Sequence, residues 1–140
     1  MWTSCYYPLR DLPKDGKVIV CDLSQKVPKE ILATADELLV YAWVVSGQSY
    51  PIDASWHYKI FVEVGKKKLE AAFYLLAHTY PHQTLAYSIN SDNVWLPMPF
   101  DRKTLKVERK GTGLGIGDPI SDNFRGEVTI VGYRQFSQVG

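Results

Sequence analysis

One apolar segment limits the possible folds of this chain more than any other. Residues 37–46 read ELLVYAWVVS and are rich in β-branched and aromatic side chains, which favour a strand. A strand in an antiparallel sheet with one solvated side would alternate apolar and polar residues, but here both faces are apolar. We therefore expect coverage on both sides, by a second sheet and by a loop or a neighbouring subunit. One face would carry Leu39, Tyr41, Trp43 and Val45, and the other Leu38, Val40, Ala42 and Val44.

Composition limits the class of protein further. The 140 residues suit one domain, with residues 1–16 expected to form an irregular lead-in that is rich in Pro and Tyr. Ten Gly and eight Pro occur throughout the chain, which argues against a helical bundle and favours short strands joined by turns. A net charge of +1 lacks the positive surplus of a nucleic-acid binder. Because no apolar run approaches the roughly 20 residues of a membrane span, we expect no membrane insertion.

The remaining segments predict further strands. Residues 56–64 alternate between apolar and polar side chains, with Phe61 the exception. Residues 69–79 fit a helical stripe and a strand face equally well, and the preceding Gly-Lys-Lys-Lys turn and the following Tyr-Pro favour a strand. Between residues 24 and 36, Pro28 suits the first turn of a short helix. The other predicted strands are residues 17–23, 85–88, 93–98, 104–110 and 127–134.

About eight short strands at regular spacing predict an all-β fold, an antiparallel β-sandwich of the jelly-roll type. The strand rhythm is similar to that of small trimeric head domains, namely complement-type and tumour-necrosis-factor-like heads and the tips of phage tail fibres. The residues that carry the resemblance are Val40 to Val44, Ser91 to Pro97 and Ile130 to Arg134. It implies a homotrimer that recognises a ligand at exposed loops, and it transfers no individual functional residue.

The strongest candidate for ligand binding is the stretch from residue 80 to residue 102. It combines aromatic rings with planar amides and carboxylates, which are the groups that recognise sugars: rings stack on C–H faces, and Asp and Asn hold hydroxyls. The alternative is that the rings belong to the core or an interface and that the polar residues form turns. The predicted ligand-binding residues are Tyr87, Asn90, Asp92, Asn93, Trp95 and Arg102.

Other chemical patterns are weaker. The glycine-rich run at residues 111–118 lacks the spacing of a dinucleotide-binding loop and is interpreted as a turn or a bulged strand. His78 and His82 are four residues apart, but Pro81 lies between them, and a three-histidine metal site would also need His57. We predict no cofactor. Asp118, Asp122 and Asn123 offer oxygen ligands for calcium, although a solvated turn is the ordinary interpretation.

Two cysteines, Cys5 and Cys21, are either one disulfide or two free thiols, with Cys21 then buried on a strand. The N-terminal residues lack the basic segment and the apolar segment of a signal peptide. The chain is therefore either cytoplasmic or a domain cut from a longer secreted protein, for which an extracellular or particle-surface location is favoured.

Three functions remain open. The first is a non-enzymatic, lectin-like recognition or assembly domain that binds a glycan or a protein ligand through surface loops. The second is a structural trimerisation head of a fibrous or collagen-like protein. The third, from a different class, is a small cupin-like metal enzyme that uses His57, His78 and His82.

Overall fold

A computed structural model describes residues 1–13, 18–47, 54–79, 87–112 and 125–136. Strands dominate these residues, together with a 3-10 turn at Leu23–Gln25 and one short helix, α1, at Lys29–Thr34. The strands are β1 (Thr3–Asp11), β2 (Val18–Asp22), β3 (Glu37–Gly47), β4 (Ala54–Val64), β5 (Leu69–Thr79), β6 (Tyr87–Pro97), β7 (Thr104–Thr112) and β8 (Arg125–Arg134).

The strands form two antiparallel four-stranded sheets. The first sheet has the order β1-β8-β3-β6, and the second has the order β2-β7-β4-β5. The first strand pairs with the last, the second with the seventh, the third with the sixth and the fourth with the fifth. The chain is thus one long hairpin rolled into a sandwich, which is the jelly-roll arrangement. The predicted all-β sandwich is confirmed.

The core lies between the two sheets. The even-numbered residues of β3 face inward, and Val40, Ala42 and Val44 have no exposed surface. Tyr58 and Ile60 of β4 are equally buried from the opposite sheet. Full burial of a valine or isoleucine side chain contributes roughly 1.5–3 kcal/mol, so Val40, Val44 and Ile60 each stabilise the sandwich.

The odd-numbered residues of β3 form its outer face. Leu39 is only 8% exposed, whereas Tyr41, Trp43 and Val45 are half-buried. The predicted two-sided apolar strand is therefore present, with its outer side partly covered by the chain itself.

Strand β5 settles the ambiguity of residues 69–79 in favour of a strand. It pairs with β4 along its full length, so Phe73 and Leu75 enter the core. The two strands are joined by a turn in which Gly65 (φ 72°) and Lys68 (φ 53°) are left-handed, and Lys68 N donates to Gly65 O at 3.1 Å. The predicted hairpin is confirmed, and so is the short helix that begins after Pro28.

The prediction of an irregular lead-in over residues 1–16 is wrong for β1. This strand pairs with β8, with irregular register around Pro8. Because β1 is at the edge of its sheet, a proline that lacks an N–H group removes no bond from the interior of the ladder. Pro8 is therefore compatible with a strand here.

The two short strands predicted at residues 85–88 and 93–98 are instead parts of one strand, β6. All of its residues pair with β3, from Tyr87 opposite Gly47 to Pro97 opposite Glu37. The predicted break between the two short strands includes Ser91 and Asp92, which lie within this strand together with Asn93. An edge strand tolerates such polar residues because its sides reach solvent. Residues 85 and 86 lie outside the described part of the chain.

Candidate functional site

The outer faces of the two sheets differ in chemistry. The outer face of the second sheet carries ion pairs, with Lys59 Nζ 2.5 Å from Glu70 Oε1 and Lys106 Nζ 2.9 Å from Glu63 Oε1. Such pairs are typical of a solvated surface. The same face also carries exposed apolar side chains, among them Val20 and Tyr74. The outer face of the first sheet carries one ion pair, Arg134 with Glu37, and a cluster of aromatic side chains. We call it the aromatic face, defined by Trp2, Tyr41, Trp43 and Trp95.

Strand register places polar residues beside these rings. Tyr41 lies between Asn93 of β6 and Thr129 of β8. One step further along β3, Trp43 lies between Ser91 and Glu127. Side chains directly opposite each other in adjacent strands share one face of the sheet. The aromatic face therefore alternates rings with hydroxyl, amide and carboxylate groups.

One corner of the aromatic face is tightly packed around Trp95. The rings of Trp2 and Trp95 meet edge to face, with centroids 5.7 Å apart and an interplanar angle of 78°. The guanidinium of Arg134 lies 4.1 Å from the centre of the Trp95 ring. Its Nε also donates to Glu37 Oε1 at 2.6 Å. Edge-to-face pairing and cation–π contact both fix the orientation of Trp95.

The position of Trp2 depends on Gly132 of β8. A Cβ atom at residue 132 would lie 2.8 Å from the Trp2 ring and 3.2 Å from the Cβ of Leu39. The indole therefore lies directly on the backbone of β8, and only glycine leaves room for it. Trp2 remains 49% exposed, so it covers the sheet without leaving the surface.

The predicted ligand-binding residues separate into groups. Asn93 and Trp95 lie on the aromatic face. Asn90 and Asp92 alternate to the other side of β6, where Asn90 Nδ2 donates to Leu76 O at 3.4 Å and Asp92 Oδ1 accepts from the N–H of Asn93. Tyr87 opens β6, and its side chain lies outside the described part of the structure.

Arg102 lies apart from these residues, in the connection between β6 and β7. Its Nε donates to Leu32 O at 2.7 Å, and its Nη2 donates to Ala35 O at 2.5 Å. These carbonyls belong to the C-terminal end of α1 and the residue after it, so the guanidinium links the helix to the connection.

Sequence reasoning did not assign Trp2, Tyr41 and Trp43 to a ligand site. The pattern assigns Tyr41 and Trp43 to an apolar strand face that is expected to be covered by a loop or a neighbouring subunit. Trp2 was placed in the irregular lead-in. The signal that could have found the site was the presence of polar partners beside the rings, which becomes visible only when the strand register is known.

The remaining chemical candidates are distributed as follows. His57 is exposed on β4, while the side chain of His78 and the whole of His82 lie outside the described residues. Residues 113–124, which include Asp118, Asp122 and Asn123, also lie outside them. Within the described ranges, no group of three His, Cys, Asp or Glu side chains is arranged to hold a metal ion.

Both cysteines are free thiols. Burial raises the pKa of Cys21 to about 11, an effect that the charge of Arg10 only partly opposes. Burial also raises the pKa of Cys5. A reactive cysteine needs a lowered pKa, so neither thiol has the properties of an activated nucleophile.

No helix among the described segments is long and apolar enough to cross a membrane. No protein-family profile matches the sequence, and no curated protein is significantly similar to it.

Proposed function

We propose that this protein is a non-enzymatic recognition domain that binds a glycan chain on its aromatic face. The observation that supports the proposal is the strand register, which places the half-buried rings of Tyr41 and Trp43 beside Asn93 and Glu127 on one outer face. Aromatic rings that lie together and partly accessible on one sheet face form a candidate interaction surface.

The arrangement of the aromatic face suits a sugar polymer. Indole and phenol rings stack on the C–H faces of pyranose rings, and adjacent amides, hydroxyls and carboxylates bond to sugar hydroxyls. Tyr41 and Trp43 are two residues apart on one strand, which separates their Cα atoms by roughly 6–7 Å. Asn93 and Glu127 supply the polar groups beside them. The binding surface is thus the sheet face rather than the loops.

A glycan array tests this proposal. We expect the domain to bind one class of glycan, and Trp43→Ala to reduce that binding by at least about tenfold, because stacking on one indole is lost. Tyr74→Ala is the matched control, since Tyr74 is an aromatic residue 61% exposed on the outer face of the other sheet. Equal loss in both variants, or no glycan bound by the wild type, would contradict the proposal.

A second candidate function is assembly of a homotrimer through the same face. It is favoured by the row of Tyr41, Trp43 and Val45, which are half-buried in the monomer and would bury their remaining apolar surface against a second copy. Size-exclusion chromatography with light scattering separates the two candidates. Assembly predicts a molar mass of three times 15.9 kDa for the wild type and 15.9 kDa for Trp43→Glu. A glycan-binding monomer predicts 15.9 kDa for both proteins.

A further inference from the structure

A cleft of about 270 Å³ lies where the β4–β5 turn meets the connection between β6 and β7. Glu63, Thr104 and Lys106 in its wall alternate to the outer face of the second sheet, so the cleft is on the side of the sandwich away from the aromatic face. Its volume equals that of roughly nine water molecules, which is enough for one six-membered ring with its substituents.

The wall formed by the β6–β7 connection is held in place by hydrogen bonds. Phe100 N donates to Glu63 O at 2.8 Å. Asp101 Oδ1 accepts the backbone N–H groups of Lys103 and Thr104 at 3.0 and 2.9 Å, and its Oδ2 accepts the Thr104 hydroxyl. Two residues after Phe100, Arg102 is hydrogen-bonded to the carbonyl oxygens of Leu32 and Ala35, which fixes the connection on that side as well. This rigid connection leaves the Phe100 ring 61% exposed at the cleft, as a preformed stacking surface.

Two carboxylates, Glu63 and Asp101, and two ammonium groups, Lys68 and Lys106, line the cleft, and the pairing of Lys106 with Glu63 leaves Lys68 as the cation available to a ligand. The hydrogen bond from Lys106 lowers the pKa of Glu63, so this carboxylate is ionised and already paired. Burial raises the pKa of Asp101, but the hydrogen bonds from Thr104 and the backbone outweigh it and lower the pKa overall. Lys68 lines the cleft from the β4–β5 turn, where Lys66 and Lys67 add positive charge.

We propose that this cleft binds a single-ring sugar that carries a carboxylate, such as a uronate residue. Lys68 pairs with the carboxylate, and the Phe100 ring stacks on the C–H face of the sugar. The oxygens of Thr104 and Asp101 accept hydroxyl protons from the sugar. This polar wall favours a sugar acid over an aromatic acid of similar size, because the aromatic acid offers no hydroxyls to satisfy it.

Titration with glucuronate tests the proposal, followed by the amide resonances of Phe100 and Asp101 in NMR spectra. We expect saturable shifts in the millimolar range, much weaker shifts with glucose, which lacks the carboxylate, and weaker shifts with benzoate, which lacks the hydroxyls. Lys68→Asn removes the charge and still tolerates the left-handed backbone, and it should weaken binding by about two- to fivefold. Phe100→Ala should weaken it by at least as much.

Lys67→Asn is the matched control, because it removes the same charge from the same turn but from a residue that does not line the cleft. Equal effects of the Lys67 and Lys68 variants, equal affinities for glucuronate and glucose, or benzoate binding as tight as glucuronate would overturn the proposal. Absence of any shift would overturn it as well. Trp43→Ala should leave glucuronate binding unchanged, so this test is independent of glycan binding on the aromatic face.

Discussion

At the scale of single residues, two glycines show how closely the first sheet is packed. Gly126 faces the core, where a Cβ atom would lie 2.7 Å from the side chain of Leu12 and 2.8 Å from the backbone oxygen of Trp43. Gly132 faces outward, where the added atom would meet the Trp2 ring. At residue 126 the added atom would meet backbone, which cannot move without shifting the strand. At residue 132 its nearest neighbour is the half-exposed side chain of Trp2, near the N-terminus.

The glycine substitutions should therefore have unequal effects. Gly126→Ala should lower the free energy of unfolding by about 1–3 kcal/mol, because a packed core and a strand must shift. Gly132→Ala should cost less than about 1 kcal/mol, because Trp2 can turn away, and the change should appear in tryptophan fluorescence. Urea denaturation measures both values. A larger loss for Gly132→Ala would show that the Trp2 contact is more important to folding than the core contact.

Burial of the Cys21 thiol predicts a loss of stability at alkaline pH. Its folded-state pKa of about 11 lies above the ordinary value of 9.0, so the folded state holds the proton more tightly. This contribution is complete below pH 9 and is lost as the pH rises from about 9 to about 11, by on the order of 2 kcal/mol. Burial shifts the pKa of Tyr58 in the same direction.

Urea denaturation at pH 7, 9 and 10 measures this alkaline loss. Cys21→Ala should make the free energy of unfolding fall less steeply with pH above pH 9. The variant should also be less stable at every pH, because it removes buried volume. An unchanged slope in the variant would assign the alkaline loss to other groups.

At the scale of elements, α1 is held from outside itself. It has six residues, too few to be stable alone, and its C-terminal carbonyls are bonded by Arg102 from a distant connection. Arg102 also has a left-handed backbone (φ 60°), which an arginine rarely adopts. The two hydrogen bonds stabilise that conformation.

Removal of this link should destabilise the domain. Arg102→Ala should cost about 1.5–3 kcal/mol, because two charge-assisted hydrogen bonds are lost, and Arg102→Lys should recover only part, because an ammonium cannot span both carbonyls. Lys103→Ala is the control, since Lys103 is the next residue along the chain and is exposed. Thermal unfolding measures the differences, and equal melting temperatures for the Arg102 and Lys103 alanine variants would contradict the proposed link.

Strands could be predicted from the sequence where burial in the core determines their pattern of apolar and polar residues. β4 alternates because one of its faces lies in the core and the other carries polar side chains, except for the buried Phe61 under Lys59. β3 is apolar throughout because the aromatic face adds a second apolar side. The patterns of β1 and β6 are weaker, since edge strands accept Pro8 or a polar triplet at little cost.

The same reasoning explains the outcome for the candidate site. Trp95 and Asn93 were predicted because aromatic rings beside planar amides are the groups that recognise sugars, and both lie on the aromatic face. The partnership of Trp43 with Ser91 and Glu127 depends on pairing between distant strands, which one segment cannot reveal. Arg102 illustrates the opposite case, since a side chain near the ligand-binding stretch in sequence is bonded to a helix elsewhere.

At the scale of the whole molecule, the rolled hairpin separates two chemically different surfaces. Each sheet contributes one face to the shared core, and the outer faces are free to differ. The outer face of the second sheet carries the Lys59–Glu70 and Lys106–Glu63 ion pairs, and the cleft beside Phe100 lies at one end of it. The aromatic face is the only one of the two on which half-buried rings lie beside hydroxyl and amide groups, among the residues that the structure describes.

The location of ligand contact tests the central claim most directly. Indole N–H resonances of Trp43 and Trp95, assigned through Trp→Phe variants, can be followed during titration with the best ligand from the glycan array. If the account is correct, both resonances shift saturably, while the amides of Lys59 and Glu70 on the opposite sheet stay in place. Shifts confined to the opposite sheet, with unchanged indole resonances, would contradict it.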